Sequence, residues 1–324
     1  MDSAIRVTTP GGPDVMRIEP IEIGDPGPGQ LRIKHLIIPV NNIDIQHRSG
    51  NYPISLPSGL GVEVVGEVES VGEGVTDFDV GTRVAYISPV PGTYATAGLR
   101  NAHQVVRLPP DLPTEQVGAI FMRGILAWHL THTVYRITAG DTVVVYAAAG
   151  GVGSLVVRLA ASVGARVVGV VGSPGKAEVA RAAGCCEVFA TDDSDLPNRI
   201  RAALGEGASV VYDSIGKETF VRSLESLKAH GTLVAYGNDS GVVESFAPWR
   251  DLGQRGSLRL VWPMVKDFLT PDLMGAAVPA VLEAIRAGVL RIDIGCRRSL
   301  ARAADAHRLV EERQTIGATI LIPD

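Results

Sequence analysis

The chain has 324 residues and only three cysteines, Cys185, Cys186 and Cys296. Two are adjacent and one is distant, which gives neither a disulfide framework nor a zinc-ligand spacing. The adjacent pair reads as small, partly buried residues rather than a redox centre. No apolar run reaches the ~18 residues that would mark a membrane span, and the first residues lack the basic-then-apolar texture of a secretory leader. A soluble, cytoplasmic protein is expected. Positive charge is the minority sign: 30 Lys and Arg against 35 Asp and Glu leave a net charge of −5. The basic residues form no stripe, which argues against a nucleic-acid partner. There is no G-x-S-x-G elbow, which disfavours a hydrolase. His129 and His132 are three residues apart with no third ligand nearby, so no metal site is expected from them. Repeats and low-complexity segments are also missing.

What is present begins with enough apolar residues, 46 %, and enough length for about two domains. The stretch 141–176 carries the strongest pattern. A valine-rich run, 142–147, reads as a buried parallel strand. Gly150, Gly151 and Gly153 follow. Val152, Leu155, Val156, Leu159, Ala160 and Val163 then recur at helical spacing, and Gly164 closes the helix. A second valine-rich strand runs over 166–171. Strand, glycine turn, helix, strand is the dinucleotide-binding arrangement. Glycines let a pyrophosphate reach the free N–H groups and the positive dipole end of the helix. Ala148 occupies the place of the usual first glycine, so the motif reads A-x-G-x-x-G. The alternative is a glycine turn that only permits close packing.

The end of the second strand bears on cofactor choice. An Asp or Glu there would hold the ribose 2′-hydroxyl of NAD. The chain has Gly172, Ser173, Pro174, Gly175 and Lys176 instead. A hydroxyl and an ammonium suit a 2′-phosphate through charge-assisted hydrogen bonds, so NADPH is preferred. Lys176 as a solvated lysine of the first turn is the plainer reading.

Residues 1 to about 120 are rich in Gly, Pro and short β-like runs (31–38, 62–71, 83–87), which read as an antiparallel, barrel-like domain. Within it, 39–53 gathers Asn41, Asn42, Asp44, Gln46, His47, Arg48 and Tyr52. This is either a site or a solvated turn with Asp44 and Arg48 paired at i,i+4. A helical pattern spans 115–132. After the glycine turn, strands (187–190, 209–212, 232–236, 257–261) alternate with helices (177–183, 196–204, 218–227), which predicts a parallel sheet covered on both faces. Ser214, Gly237 and Asn238 fall at the carboxyl ends of those strands, where ligands bind. A tail with helices at 279–287 and 303–312 and a strand at 318–322 is expected to return to the first domain.

Several stretches carry a resemblance: NNID…RSGNYP at 41–53, LPSGLGVEVVGEVESVGEGV at 56–75, AAAGGVG at 147–153, VVYDSIG at 210–216 and GTLVAYGNDSG at 231–241. In this order, over nearly the full length, the chain resembles the medium-chain dehydrogenase/reductase superfamily and its zinc-free, zeta-crystallin-like quinone oxidoreductase branch. The resemblance implies an α/β protein: a GroES-like β-barrel-type catalytic domain (1–121 and 263–324) and a doubly wound Rossmann cofactor domain (122–262). It implies Gly150, Gly151 and Val152 at the pyrophosphate, Ser173, Lys176 and Thr191 by the 2′-phosphate, and Ser214, Asn238 and Arg313 on the rest of NADPH. Asn41 and Tyr52 would line the pocket, with Gln46 and Trp262 beside it. Gln46 stands where bacterial relatives often have Tyr, Thr191 replaces a Tyr and Trp262 replaces an Arg, so the pocket departs from the family pattern. The zinc alcohol dehydrogenases place a Cys near position 41 and a His before the Glu of a G-H-E motif. This chain has Asn41 and Gly61, Val62, Glu63, and no metal is implied.

The implied reaction is NADPH-dependent reduction of a quinone by a homodimer that pairs the last strands of its cofactor domains. The alternatives are an enoyl or alkenal/one reductase acting on an α,β-unsaturated carbonyl, and an NADPH-binding sensor with little catalysis.

Overall fold

The computed structural model describes residues 2–323. They form two compact units, one of residues 2–122 with 292–323 and one of Arg123–Arg291. The helix Thr114–His129 carries the chain from the first unit into the second. The tail rejoins the first unit at Ile292, not at the expected 263. Residues 263–291 stay with the second unit, where Phe268 stacks on His129 with ring centroids 4.8 Å apart. The tail helix is also longer than its sequence pattern suggested. It runs over Pro271–Arg286, with Pro271 in the first turn and Pro279 inside it. Pro279 therefore lies inside the helix and is not its start; a proline removes one i→i−4 hydrogen bond there, and this helix continues through it.

The first unit is built on the long strand Gln30–Pro39. It pairs antiparallel with Glu63–Val71 on one side. On the other, Ala97–Asn101 covers its first half and Ala318–Ile322 its last two residues. The sheet continues through Arg83–Ile87 to Val106–Arg107, and at its other end Ile294–Ser299 joins Ala318–Ile322 in parallel. A three-stranded sheet of Asp2–Val7, Arg17–Ile21 and Ser58–Gly59 completes it. The pairing of Gln30–Pro39 with Glu63–Val71 shifts register between Arg32 and Ile33 and again between His35 and Ile37. Such irregularities bend a strand and raise its twist, which curves this sheet. Alternate residues of the strands, Leu31, Ile33, Val64, Val68, Val84 and Tyr86, face one core with Tyr94, Leu300, Ala303, Ala306 and Leu321. His35 is buried in the sheet as a neutral ring. Its Nδ1–H donates to Ala95 O at 2.7 Å, and Tyr86 donates its hydroxyl proton to Nε2 at 2.8 Å. Burial pushes its pKa down to about 4.

The second unit is a six-stranded sheet in the order Glu187–Ala190, Arg166–Val171, Thr142–Tyr146, Ala208–Asp213, Leu227–Ala235, Arg259–Val261. Every pair is parallel. Val144, Tyr146, Val168, Val170 and Val211 pack with Leu196, Ile200, Leu204, Phe220 and Leu224 from two helices, Leu196–Leu204 and Phe220–Glu225. The neighbours Val143, Val145 and Val167 are equally buried and point to the opposite face, as strand alternation requires. The helices Gly151–Ser162 and Ala177–Ala183 pack on each other and on the strands. The expected helix 218–227 shrinks to Phe220–Glu225, because Leu227 already begins the next strand. Tyr212 is fully buried and donates to Leu130 O at 3.0 Å, satisfying the π-helical turn Leu130–Val134 that ends the crossing helix. Among the described residues no helix is long and apolar enough to cross a membrane.

One close approach sets the geometry of this unit. A Cβ on Gly153 would stand 2.3 Å from Ala147 O, a backbone atom that cannot swing away. Gly153→Ala is therefore expected to cost about 1–3 kcal/mol, the range for overpacking a core. The check is a lowered urea midpoint with an unchanged m-value.

Candidate functional site

The first cluster of site residues lies at the carboxyl end of the parallel sheet. Strand order reverses at Thr142–Tyr146, which has Arg166–Val171 on one side and Ala208–Asp213 on the other. Crevices at such a reversal bind ligands. The chain leaves the strand through Ala147, a left-handed residue with φ 50. Gly150 then caps the helix Gly151–Ser162 without any side-chain hydrogen bond. The N–H groups of the first turn, around Gly151 and Val152, are therefore not taken up by a capping side chain. Ala148 N–H bonds Val170 O at 3.1 Å, which ties the turn to the second strand. The alanine in place of the usual first glycine is accommodated from across the sheet: a Cβ on Gly169 would stand 2.9 Å from Ala148 Cβ. Close packing accounts for Gly153. It does not account for Gly151, whose added Cβ would meet only the flexible side chain of Arg123, at 2.9 Å.

The second strand ends at Val171. Ser173 and Lys176 bracket the short turn Pro174–Lys176, with Lys176 N–H on Ser173 O at 3.1 Å, and both are half-buried. Thr191 is next to them, because its N–H bonds Val171 O at 2.9 Å. A cation that the sequence did not single out is there too: Arg222 Nη1 donates to Thr191 O at 2.6 Å. Ser214 and Asn238 come together as well, through Asp239 N–H on Ser214 O at 3.3 Å and Ser240 N–H on Ile215 O at 2.7 Å. Asp213 anchors this loop. Its buried carboxylate accepts from Ser223 at 2.6 Å, Thr219 at 2.8 and 2.9 Å, and Ile215 N–H at 2.8 Å. Burial raises its pKa in spite of those bonds. Trp262 follows the edge strand Arg259–Val261 and is 39 % exposed.

The second cluster is in the first unit. The segment 39–53 contains a helix, Asn42–Ser49, with Asn41 as its N-cap. Asn41 and Asp44 form a capping box, with Asn41 N–H on Asp44 Oδ2 at 2.8 Å. Asn41 Nδ2 donates to Glu63 Oε2 at 2.9 Å. Gln46 O accepts from Tyr52 N–H at 3.1 Å, and the Gln46 side-chain oxygen accepts from Asn51 Nδ2 at 2.9 Å, so Gln46 and Tyr52 are neighbours at the open end of the helix. The i,i+4 pair of Asp44 with Arg48 is not formed. Arg48 is 1 % exposed and makes a two-pronged contact with Glu311 at 2.6 and 2.8 Å. From there a polar chain runs through the core. Arg48 donates to His307 Nδ1 at 3.4 Å, His307 Nε2–H to the Tyr94 hydroxyl at 3.0 Å, and Tyr94 to Asp44 Oδ2 at 3.3 Å. Only the Nε2–H tautomer of neutral histidine fits that sequence of donors and acceptors. Arg313, the remaining sequence candidate, is exposed in this unit with φ 56, two residues beyond Glu311. Glu63, Tyr94 and His307 escaped sequence reasoning as parts of this cluster. The available signal was a lone acid in the apolar run GLGVEVV.

Two family models match: an alcohol dehydrogenase GroES-like domain over residues 27–127 and a zinc-binding dehydrogenase domain over 151–264. The chain is 37 % identical to a 2-haloacrylate reductase of a Burkholderia species, over 97 % of this chain and 96 % of that protein. It is also 37 % identical to a quinone oxidoreductase of Pseudomonas aeruginosa, over the whole of both chains. The solved structure of Escherichia coli quinone oxidoreductase complexed with NADPH superposes with a TM-score of 0.93 at 34 % identity, covering 99 % of this chain and all of that one. The zinc named in one of the matching models finds no ligand set. Asn41 is committed to Glu63, Val62 is apolar, and among the described residues no group of three or more His, Cys, Asp or Glu is placed to hold a metal.

The chain of donors through His307 generates a pH prediction. Burial, then the charge of Arg48, lowers its pKa to about 3. The unfolded chain takes up a proton near 6.5, the folded one only near 3, so stability is full above 6.5 and falls as the pH drops through that window. Between pH 6.5 and 5 the loss from this residue is about 2 kcal/mol, at about 1.36 kcal/mol per pH unit. His307→Asn is expected to flatten the dependence of the urea midpoint on pH by about that amount relative to wild type.

Proposed function

Because the chain belongs to the quinone oxidoreductase family of the medium-chain dehydrogenase/reductase superfamily, we propose that it reduces quinones with NADPH. The observation that carries this is the carboxyl edge of the parallel sheet. An uncapped glycine turn at the point of strand reversal is followed, one strand over, by Ser173 and Lys176 with no acid between them. The turn fits a pyrophosphate at the first-turn N–H groups of Gly151 and Val152, with Gly150, the N-cap whose own N–H is on Ala147 O, leaving room for its approach. Ser173 and Lys176 suit a 2′-phosphate, with Thr191 beside them. Ser214 and Asn238, at the carboxyl ends of their strands, suit the remainder of the dinucleotide.

The cofactor supplies hydride, and the protein supplies binding, orientation and a polar environment. A quinone is a strong electron acceptor, so the protein needs neither a metal nor a strong general acid. In this reading Asn41 presents an amide N–H, and Tyr52 a hydroxyl, to a substrate carbonyl, orienting it and stabilising the negative charge that develops on its oxygen. Gln46, beside Tyr52, brings a second amide to the substrate side. Water can deliver the final proton. A second reading, reduction of a conjugated alkene, is favoured by the similarity to a 2-haloacrylate reductase, and Gln46 and Trp262 are the residues on which it would depend. All three cysteines are free, which suits the reducing cytoplasm as the compartment. We further infer a homodimer through the edge strand Arg259–Val261, which carries the exposed apolar side chain Val261, with Met264 just beyond. Exposed edges of this kind invite pairing with another strand.

Steady-state oxidation of NADPH and NADH against an ortho-quinone, a para-quinone and a small enone tests the activity. Turnover of quinones with NADPH is expected, and turnover of the enone alone would decide for the second reading. Lys176→Ala is expected to raise KM for NADPH about tenfold or more, as loss of a charge-assisted bond should, and to leave KM for NADH unchanged. Sedimentation equilibrium is expected to give twice the chain mass, and Met264→Lys to shift the protein toward the single chain.

A further inference from the structure

Glu63 is a carboxylate with 1 % exposure, at the first position of the strand Glu63–Val71. The chain enters that strand through Gly61, φ 84, where a Cβ would stand 2.2 Å from the Tyr94 ring. Thr93 donates its hydroxyl to Glu63 O at 3.0 Å, so the backbone under the carboxylate is held as well. Oε2 accepts from Asn41 Nδ2 at 2.9 Å, and Oε1 accepts from Met122 N–H at 2.6 Å, in the helix Thr114–His129. Both of these groups are donors. A carboxylate satisfies both at once, whereas an amide has one accepting oxygen and one donating nitrogen.

The consequence falls on Asn41. Its side-chain oxygen is turned to the helix N-terminus by the capping box, and one hydrogen of Nδ2 is on Glu63. That leaves the second hydrogen of Nδ2, the group assigned above to the substrate carbonyl. We propose that Glu63 is a positioning residue: it fixes which end of the Asn41 amide is the nitrogen, and so keeps an N–H donor facing the substrate. The inference rests on the reading that Asn41 orients the substrate. It adds that the orientation is enforced by a buried acid tied to the helix Thr114–His129.

Glu63→Gln tests it. The introduced amide can keep its oxygen on Met122 N–H only by aiming its nitrogen at Asn41, which then has to flip. The expected result is a fall of about tenfold or more in kcat with a quinone, in the range for losing an oriented donor, and an unchanged KM for NADPH. The double variant Asn41→Asp/Glu63→Gln separates position from support. The carboxylate introduced at position 41 can accept from the introduced amide, so Tm is expected to return toward wild type while kcat stays low, because no N–H donor is restored. Recovery of kcat together with Tm would show that no N–H donor is needed at position 41 and that Glu63 only supports the fold, and would sink both the reading of Asn41 and the proposal. Wild-type kcat in Glu63→Gln when Asn41→Ala is impaired would overturn the proposal alone. Wild-type kcat in Asn41→Ala itself would instead sink the reading of Asn41 on which the proposal stands.

Discussion

The second unit depends on how closely the helix Gly151–Ser162 sits on the end of the strand Thr142–Tyr146. With Gly153 against the carbonyl of Ala147, the helix starts directly over the strand end. Its dipole and its first-turn N–H groups are then aimed at the point where the strand order reverses. A larger residue would lift the helix away and the anion-binding end with it. Ala147 accepts a left-handed conformation to make the turn, and Gly169 gives way on the neighbouring strand so that Ala148 can be buried. Each of these is a local compromise made for one close contact.

In the first unit the comparable constraint is polar. Asn41, Asp44, Arg48, Glu63, Tyr94 and His307 are all buried, and buried polar groups are costly unless their hydrogen bonds are complete. The network alternates donors and acceptors from Arg48 to Asp44, with histidine neutral in the middle. It holds the helix Asn42–Ser49 from two sides, through Glu63 on a sheet strand and through His307 and Glu311 on the helix Ala303–Glu311. The helix that carries the candidate substrate-orienting amide is thus fixed by partners far away in sequence. Low dielectric strengthens such bonds and makes any single vacancy expensive, so the same feature gives rigidity and acid sensitivity.

Much of this was legible before any coordinates. The valine runs, the glycine spacing and the helix-capping glycines are local signals, and local signals survive in a one-dimensional reading. They located each strand of the parallel sheet to within a few residues, and they placed Ser173, Lys176, Ser214 and Asn238 at strand ends. The reading failed where a side chain's partner is distant. Asp44 and Arg48 have helical spacing for a pair, yet Arg48 reaches Glu311, 263 positions on. The boundary at 263 failed for a similar reason. A strand over 257–261 and a helix over 279–287 read as the close of one domain and the start of another, but the segment between them stays with the second unit, where Phe268 stacks on His129.

By itself the sequence determined the α/β class, the position of the glycine turn, the absence of an acid after the second strand and the family, because these depend on residue type and short spacing. Only the tertiary structure decided that Asn41 caps a helix, that Glu63 joins Asn41 to Met122, and that a neutral histidine lies between Arg48 and Tyr94. Those facts depend on which buried donor meets which acceptor. A chain can satisfy its hydrogen bonds in many ways, and packing selects among them only when the whole unit is assembled.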